Sequence, residues 1–177
     1  MKRKTNWCVI TGAPSSGKTT LINALSVKGY RTAPEIARAY LTYLLAKHLQ
    51  NFSLRRDNET VQSKILELKL AREKQLPPHE LIFFDRGVPD SLAYYRFYHL
   101  DTRSIINKMS LYRYAHVFFL EGLPMIHDEI RQEDEKKAER IGEAIYNTYT
   151  ELGYPVIHIP SASVEQRLEM VLATISR

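Results

Sequence analysis

Residues Gly12-Ala13-Pro14-Ser15-Ser16-Gly17-Lys18-Thr19 fill every fixed position of a Gly-x-x-x-x-Gly-Lys-Thr pattern, and a second threonine, Thr20, follows directly. The chemistry that this spacing supports is the binding of a polyphosphate. Gly12 and Gly17 let the backbone take turns closed to other residues, so that successive N–H groups converge on one anion. The positive end of a following helix adds to the same field. In that geometry Lys18 reaches the β- and γ-phosphates and the Thr19 hydroxyl binds Mg2+. The motif requires a strand before it and a helix after it. Trp7-Cys8-Val9-Ile10 is a short apolar run, and Leu21, Ile22 and Leu25 recur at helical spacing, so both are present.

Other residues could serve the same chemistry. Asp85-Arg86-Gly87 ends the apolar run Leu81-Ile82-Phe83-Phe84. A carboxylate at the mouth of a buried strand suits Mg2+ held beside Thr19, and Arg86 suits an anionic or hydroxyl-bearing acceptor; a strand-end salt bridge is the competing reading. Glu35 and Arg38 admit two readings. Glu35 could accept the proton of an acceptor hydroxyl or bind the acceptor, with Arg38 as a nearby cation, or the two could be a surface i,i+3 pair at a helix start. The charged stretch Asp128 to Lys137 has no apolar stripe until Ala138 and reads as a lid over about 123–137. From it Arg131 could swing onto transferring phosphates, with Arg140 as a second candidate. Tyr94, Tyr95, Phe97 and Tyr98 read as helix packing before they read as an aromatic wall for a substrate. The six histidines show no metal-ligand spacing, and the single cysteine, Cys8, reads as a buried apolar residue in the first strand.

The elements that must position these residues alternate along the chain. Strands are predicted at 6–11, 30–34, 80–85, 115–121 and 155–159, and helices at 17–28, 35–48, 58–75, 88–99, 102–113, 131–151 and 163–176. Such alternation predicts an α/β fold with a parallel sheet covered on both faces. The runs 81–84 and 116–120 are apolar at successive positions, as expected for strands buried on both sides. Ligands of such sheets bind beyond the carboxyl ends of the strands, where the glycine-rich loop, Asp85, Glu121 and Pro160 would gather. A chain of 177 residues with 44% hydrophobic and 25% charged composition is expected to form one domain. No apolar stretch is long enough to span a membrane or to act as a secretory core, so a cytoplasmic location is expected. The net charge of +5 suits an anionic ligand and leaves nucleic acid open as a partner, although the basic residues are dispersed rather than gathered into a tract.

The glycine-rich P-loop, the Pro34-Glu35-x-x-Arg38 segment, Asp85-Arg86-Gly87, Arg131-x-Glu133-Asp134 and the tail Gly153-Tyr154…Ile159-Pro160…Val164-Glu165-x-Arg167 together resemble the AAA-type ATP-binding domain family of ATPases and kinases. Relatives of that family include ribosylnicotinamide kinase domains and, more distantly, deoxynucleoside and thymidylate kinases. The resemblance implies a three-layer P-loop NTPase with a five-stranded parallel sheet in the kinase-like order 2-3-1-4-5 and ATP·Mg2+ on Gly12 to Thr20. It places adenine near Pro160-Ser161-Ala162, Glu35 near the acceptor, Asp85 near Mg2+, Arg86 on the acceptor and Arg131 over the phosphates. Deoxynucleoside kinases usually carry Glu-Arg-Ser where this chain has Asp85-Arg86-Gly87, and thymidylate kinases usually follow Asp-Arg with an aromatic residue or His. Neither specificity therefore transfers. A kinase acting on a nucleoside- or nucleotide-like acceptor is the first functional reading, ahead of a regulatory ATPase and a nucleic-acid end kinase. Against a guanine-nucleotide switch, Asn107-Lys108-Met109-Ser110 has Ser where a guanine-reading motif needs Asp.

Overall fold

The computed structural model describes residues 2–46, 59–109, 111–122 and 129–176. Its strands are β1 (Arg3–Lys4), β2 (Trp7–Gly12), β3 (Arg31–Ala33), β4 (Ile82–Asp85), β5 (Tyr112–Arg113), β6 (His116–Leu120) and β7 (Val156–Ile159). The helices are α1 (Lys18–Val27), α2 (Ile36–Ala46), α3 (Glu59–Gln75), α4 (Val88–Phe97), α5 (Arg103–Ile106), α6 (Glu129–Glu151) and α7 (Val164–Ile175). The connection Gln50 to Arg55 lies outside the described residues.

Five strands form one parallel sheet in the order β3-β4-β2-β6-β7. Counted along the chain, that is the 2-3-1-4-5 order implied by the resemblance. The central strand β2 is buried at every position, and its alternation divides the core in two. Trp7 and Val9 join Ile82, Phe84, Val117, Ile145 and Tyr149 on one face, whereas Cys8 and Ile10 join Leu21, Leu25, Phe83, Phe118 and Val171 on the other. Helices α4 and α6 pack together on the first side, and α1 and α7 on the second. This two-sided burial is why the strands read as unbroken apolar runs.

Register sets the height of the site. Ile10 pairs with Asp85 and Gly12 with Leu120, so β6 ends level with the start of the loop that follows β2, and β4 ends two residues below it.

The segment expected as one helix over 102–113 is instead the single turn α5 followed, after residues 107–111, by β5, which pairs in parallel with β1. The amide of Arg3 donates to the Leu111 carbonyl at 2.8 Å, and the Thr5 amide to the Arg113 carbonyl at 3.0 Å. Ile105, Ile106, Met109 and Leu111 recur at a spacing that a helix tolerates. Pairing with a segment about a hundred residues away overrides that local preference.

Candidate active site at the strand ends

Gly12 is required by both backbone and neighbours. Its φ is 137°, and a Cβ there would stand 2.4 Å from the Leu120 carbonyl oxygen. Gly17, with φ 86°, caps α1 in the left-handed region, so the loop 13–17 turns directly into the helix N-terminus. Lys18 folds back over this loop. Its buried Nζ donates to the Ala13 carbonyl and to Ser16 Oγ at 3.1 Å. Burial lowers its pKa to about 7, and the Arg86 charge acts in the same direction. A cation held this way would gain a strong partner from an anion bound on the loop.

Thr19 and Asp85, expected together from the sequence, are in contact: Thr19 Oγ1 donates to Asp85 Oδ2 at 2.8 Å. Asp85 is 1% exposed, and its second oxygen, Oδ1, has no hydrogen-bond partner among the described residues. Burial raises the pKa of this carboxyl. A buried carboxylate with one unused oxygen beside a hydroxyl fits a hard divalent cation. Among the described residues no group of three or more His, Cys, Asp or Glu gathers as a protein-only cage. Mg2+ suits such a place, because it keeps several waters and takes the rest of its ligands from phosphates.

Arg86 has φ 66° and is 4% exposed, so its side chain turns inward. It donates to Asp90 Oδ1 at 2.8 Å and to the Gly12 carbonyl at 3.2 Å, and its Nε lies 3.5 Å from Glu35 Oε1. Glu35 is only 10% exposed in its side chain, while Arg38 is 66% exposed with Nε 3.7 Å from Glu35 Oε2. Glu35 is thus no surface partner; it faces the loop between two arginines. Gly87 has little room for a side chain. A Cβ there would meet the Tyr149 and Tyr114 hydroxyls at 2.6 and 2.9 Å.

Sequence reasoning did not single out Asp90, which is fully buried. It accepts from Thr11 Oγ1, Arg86 Nη1, the Gly87 amide and the Tyr149 hydroxyl at 2.7 to 2.9 Å. Burial opposes its ionisation, but Arg86, Lys69 and these hydrogen bonds hold its pKa below the usual carboxylate value. Buried Lys69 donates to the Gly87 carbonyl at 2.8 Å. The available signal for Asp90 was its place four residues after Arg86 on a helix start. Arg167, quoted in the tail motif without a role, is 3% exposed and donates to the carbonyls of Ser16, Glu121 and Pro160 at 2.6, 2.9 and 3.0 Å. It ties the P-loop to the loop 160–162.

A cavity of about 510 Å3 connects these parts, running from Lys18, Thr19 and Thr20 to Glu35, Arg38 and Arg86. Residues 123–128 of the expected lid lie outside the described residues, as does the side chain of Arg131, whose backbone belongs to α6. Arg140 places its guanidinium 5.7 Å above the Phe97 ring.

No curated protein matches the chain. Among solved structures, thymidylate kinase from Ehrlichia chaffeensis is similar at TM-score 0.68 and 13% identity, covering 97% of this chain and 99% of that one. Deoxyadenosine kinase from M. mycoides with bound dATP is similar at TM-score 0.64 and 18% identity, again with 97% and 99% coverage. NadR protein in complex with NAD and AMP-PNP is similar at TM-score 0.66 and 18% identity over 99% of this chain but 49% of that one, so this chain corresponds to half of it. These likenesses show a P-loop kinase fold. A family model described as AAA domain matches residues 7–167, from the first core strand through Arg167; the chain belongs to the AAA domain family.

Proposed function

We propose that this chain is an ATP-dependent phosphotransferase that moves the γ-phosphoryl of ATP to a small nucleoside- or nucleotide-like acceptor, working as a single kinase-like domain. The cavity carries the reading. It extends from the phosphate cradle to a buried carboxylate and two arginines, which a nucleotide switch has no need of, whereas group transfer needs a second substrate beside the first. The fold shared with nucleoside and nucleotide kinases supports the same conclusion.

The loop amides and Lys18 would bind the β- and γ-phosphates, their charge growing in value as the transferring group develops negative charge. Thr19 and Asp85 would hold Mg2+, which supplies further neutralisation of the phosphates. Glu35 takes the proton from the acceptor O–H as that oxygen forms its bond to the γ-phosphorus. The bond from phosphorus to the β,γ-bridging oxygen breaks, and ADP leaves with that electron pair. Arg86 positions Glu35 through their contact at 3.5 Å. Arg131 is the sequence-based candidate for a cation brought over the phosphates by a lid at about 123–137.

The test is a stimulation screen of ATP turnover with small nucleosides and nucleotides, with nucleic-acid ends, or with no acceptor. Stimulation by small acceptors with label transferred from the γ-position supports the proposal; equal turnover in all three conditions makes the chain an ATPase. No helix among the described residues is long and apolar enough to cross a membrane.

A further inference from the structure

Arg167 takes no part in the reaction proposed above, yet the fold buries it to 3% exposure near the start of α7. The hydrogen bonds that it makes among the described residues all end on carbonyl oxygens: Nε on Pro160 at 3.0 Å, Nη1 on Ser16 at 2.6 Å and Nη2 on Glu121 at 2.9 Å. These carbonyls belong to the loops that follow β7, β2 and β6, three neighbouring strands of the sheet. Carbonyl dipoles satisfy the N–H groups of a guanidinium without cancelling its charge. The Glu121 carboxylate turns elsewhere; it is 50% exposed and lies 3.7 Å from His158 Nδ1. A buried cation in such a setting is costly until a counter-charge comes near.

The contact with Ser16 also sets the direction of the P-loop. Arg167 meets the loop from behind, at a fully buried residue, whereas Gly17, the next residue, lines the cavity of about 510 Å3. In the planar trans peptide that joins Ser16 to Gly17, the carbonyl and the N–H point in opposite directions. Fixing the Ser16 carbonyl on the guanidinium therefore turns the Gly17 N–H away from Arg167, and the charge behind that peptide polarises it into a stronger donor. Two more carbonyls of the loop are engaged by cations, Gly12 by Arg86 at 3.2 Å and Ala13 by Lys18. Oxygens drawn back in this way do not oppose an anion in front of the loop.

We infer, on the nucleotide-binding part of the reading above, that Arg167 is a positioning residue of the phosphate site. It aims the Gly17 amide at the bound polyphosphate, and its buried charge strengthens the field there without touching the ligand. The polyphosphate chain is what it serves, so a nucleoside triphosphate and inorganic tripolyphosphate depend on it alike.

Calorimetric titration with ATP and with tripolyphosphate, both in Mg2+, tests this in the wild type, Arg167→Met, Arg167→Lys and Val171→Ala. Val171 is fully buried one turn further along α7, so its truncation loosens the same helix and spares the three carbonyl contacts. Arg167→Met is expected to weaken both ligands about tenfold or more, as for the loss of a charge-assisted hydrogen bond. Arg167→Lys keeps the charge without the planar fork and is expected to weaken both about threefold; it carries the comparison if the methionine variant does not fold. Val171→Ala is expected to lower Tm and leave both affinities unchanged. Unchanged binding of either ligand in the Arg167 variants overturns the inference, and so does an equal loss in Val171→Ala. A wild type that takes ATP and refuses tripolyphosphate overturns it as well, while nucleotide binding stands. If the folded wild type binds neither ligand, the nucleotide-binding reading falls and the inference with it.

Discussion

At the scale of single residues, the site consists of charged groups that burial has placed under stress and that a ligand would relieve. Lys18 is the clearest case, because its partners are neutral oxygens of the loop that it closes. Lys18→Ala should leave the fold intact, as followed by circular dichroism, while turnover at saturating ATP falls by about 10²-fold or more through lost charge stabilisation. Unchanged turnover would remove the phosphate role. Asp85 differs in kind, since it is a buried anion with one oxygen unused. Asp85→Asn should cut activity steeply and make it respond to raised Mg2+, and the melting temperature without ligand should stay level or rise. A large loss of stability with unaltered Mg2+ dependence would make Asp85 a structural partner of Thr19. Lys69 offers a test through pH. Burial lowers its pKa from 10.5 to about 8, so between these values the unfolded chain binds the additional proton and stability rises with pH; below about 8 the whole cost of the buried charge is present. Urea unfolding at pH 7.5 and 9.5 should show the wild type gaining about 2 kcal/mol relative to Lys69→Met. No differential gain would mean that this lysine titrates normally.

At the scale of elements, one carboxylate joins four parts of the fold. Through Asp90, β2 contributes Thr11, the turn after β4 contributes Arg86 and Gly87, and α6 contributes Tyr149, all onto the first turn of α4. Asp90→Asn keeps the volume but leaves Arg86 without its main counter-ion; it should destabilise the protein by about 3 kcal/mol in urea unfolding. A change below about 1 kcal/mol would mean that Glu35 alone suffices for Arg86. This hub was not legible in the sequence, because Thr11 and Tyr149 lie 79 and 59 residues from Asp90, and the i,i+4 spacing to Arg86 is the one local mark that sets Asp90 apart from an ordinary acid in a helix first turn. The place of the P-loop and of Asp85 beside Thr19 was legible for the opposite reason: both positions follow from fixed local spacing and from the end of an apolar run. The face of α3 that carries Gln62, Lys69 and Glu73 inward shows the same limit. Their polarity marks solvent in a sequence, and only tertiary partners, such as the Tyr114 hydroxyl that donates to Glu73, turn it into burial. The β1–β5 ladder escaped notice likewise, as two residues on each side carry no periodicity.

At the scale of the whole molecule, the strand order places β2 at the centre, flanked by β4 and β6. One edge of the P-loop therefore meets Asp85 and Arg86, and the other meets Leu120 and Glu121. Arg167 fastens this second edge to the loop after β7, across 151 residues of sequence. The alternation of strands and helices made the parallel sheet readable from residues alone, whereas the strand order came only with the family resemblance, since local patterns do not say which strands are neighbours. On the proposed reading a phosphoryl donor and its acceptor would meet at this end of the sheet, and that meeting is the central claim. Phosphorus NMR of ATP, Mg2+, a nucleoside mixture and the protein tests it most directly. A phosphate monoester resonance should grow in step with ADP, with little inorganic phosphate, and should vanish in Lys18→Ala. Equal amounts of ADP and inorganic phosphate without any new ester would contradict the account and make water the acceptor.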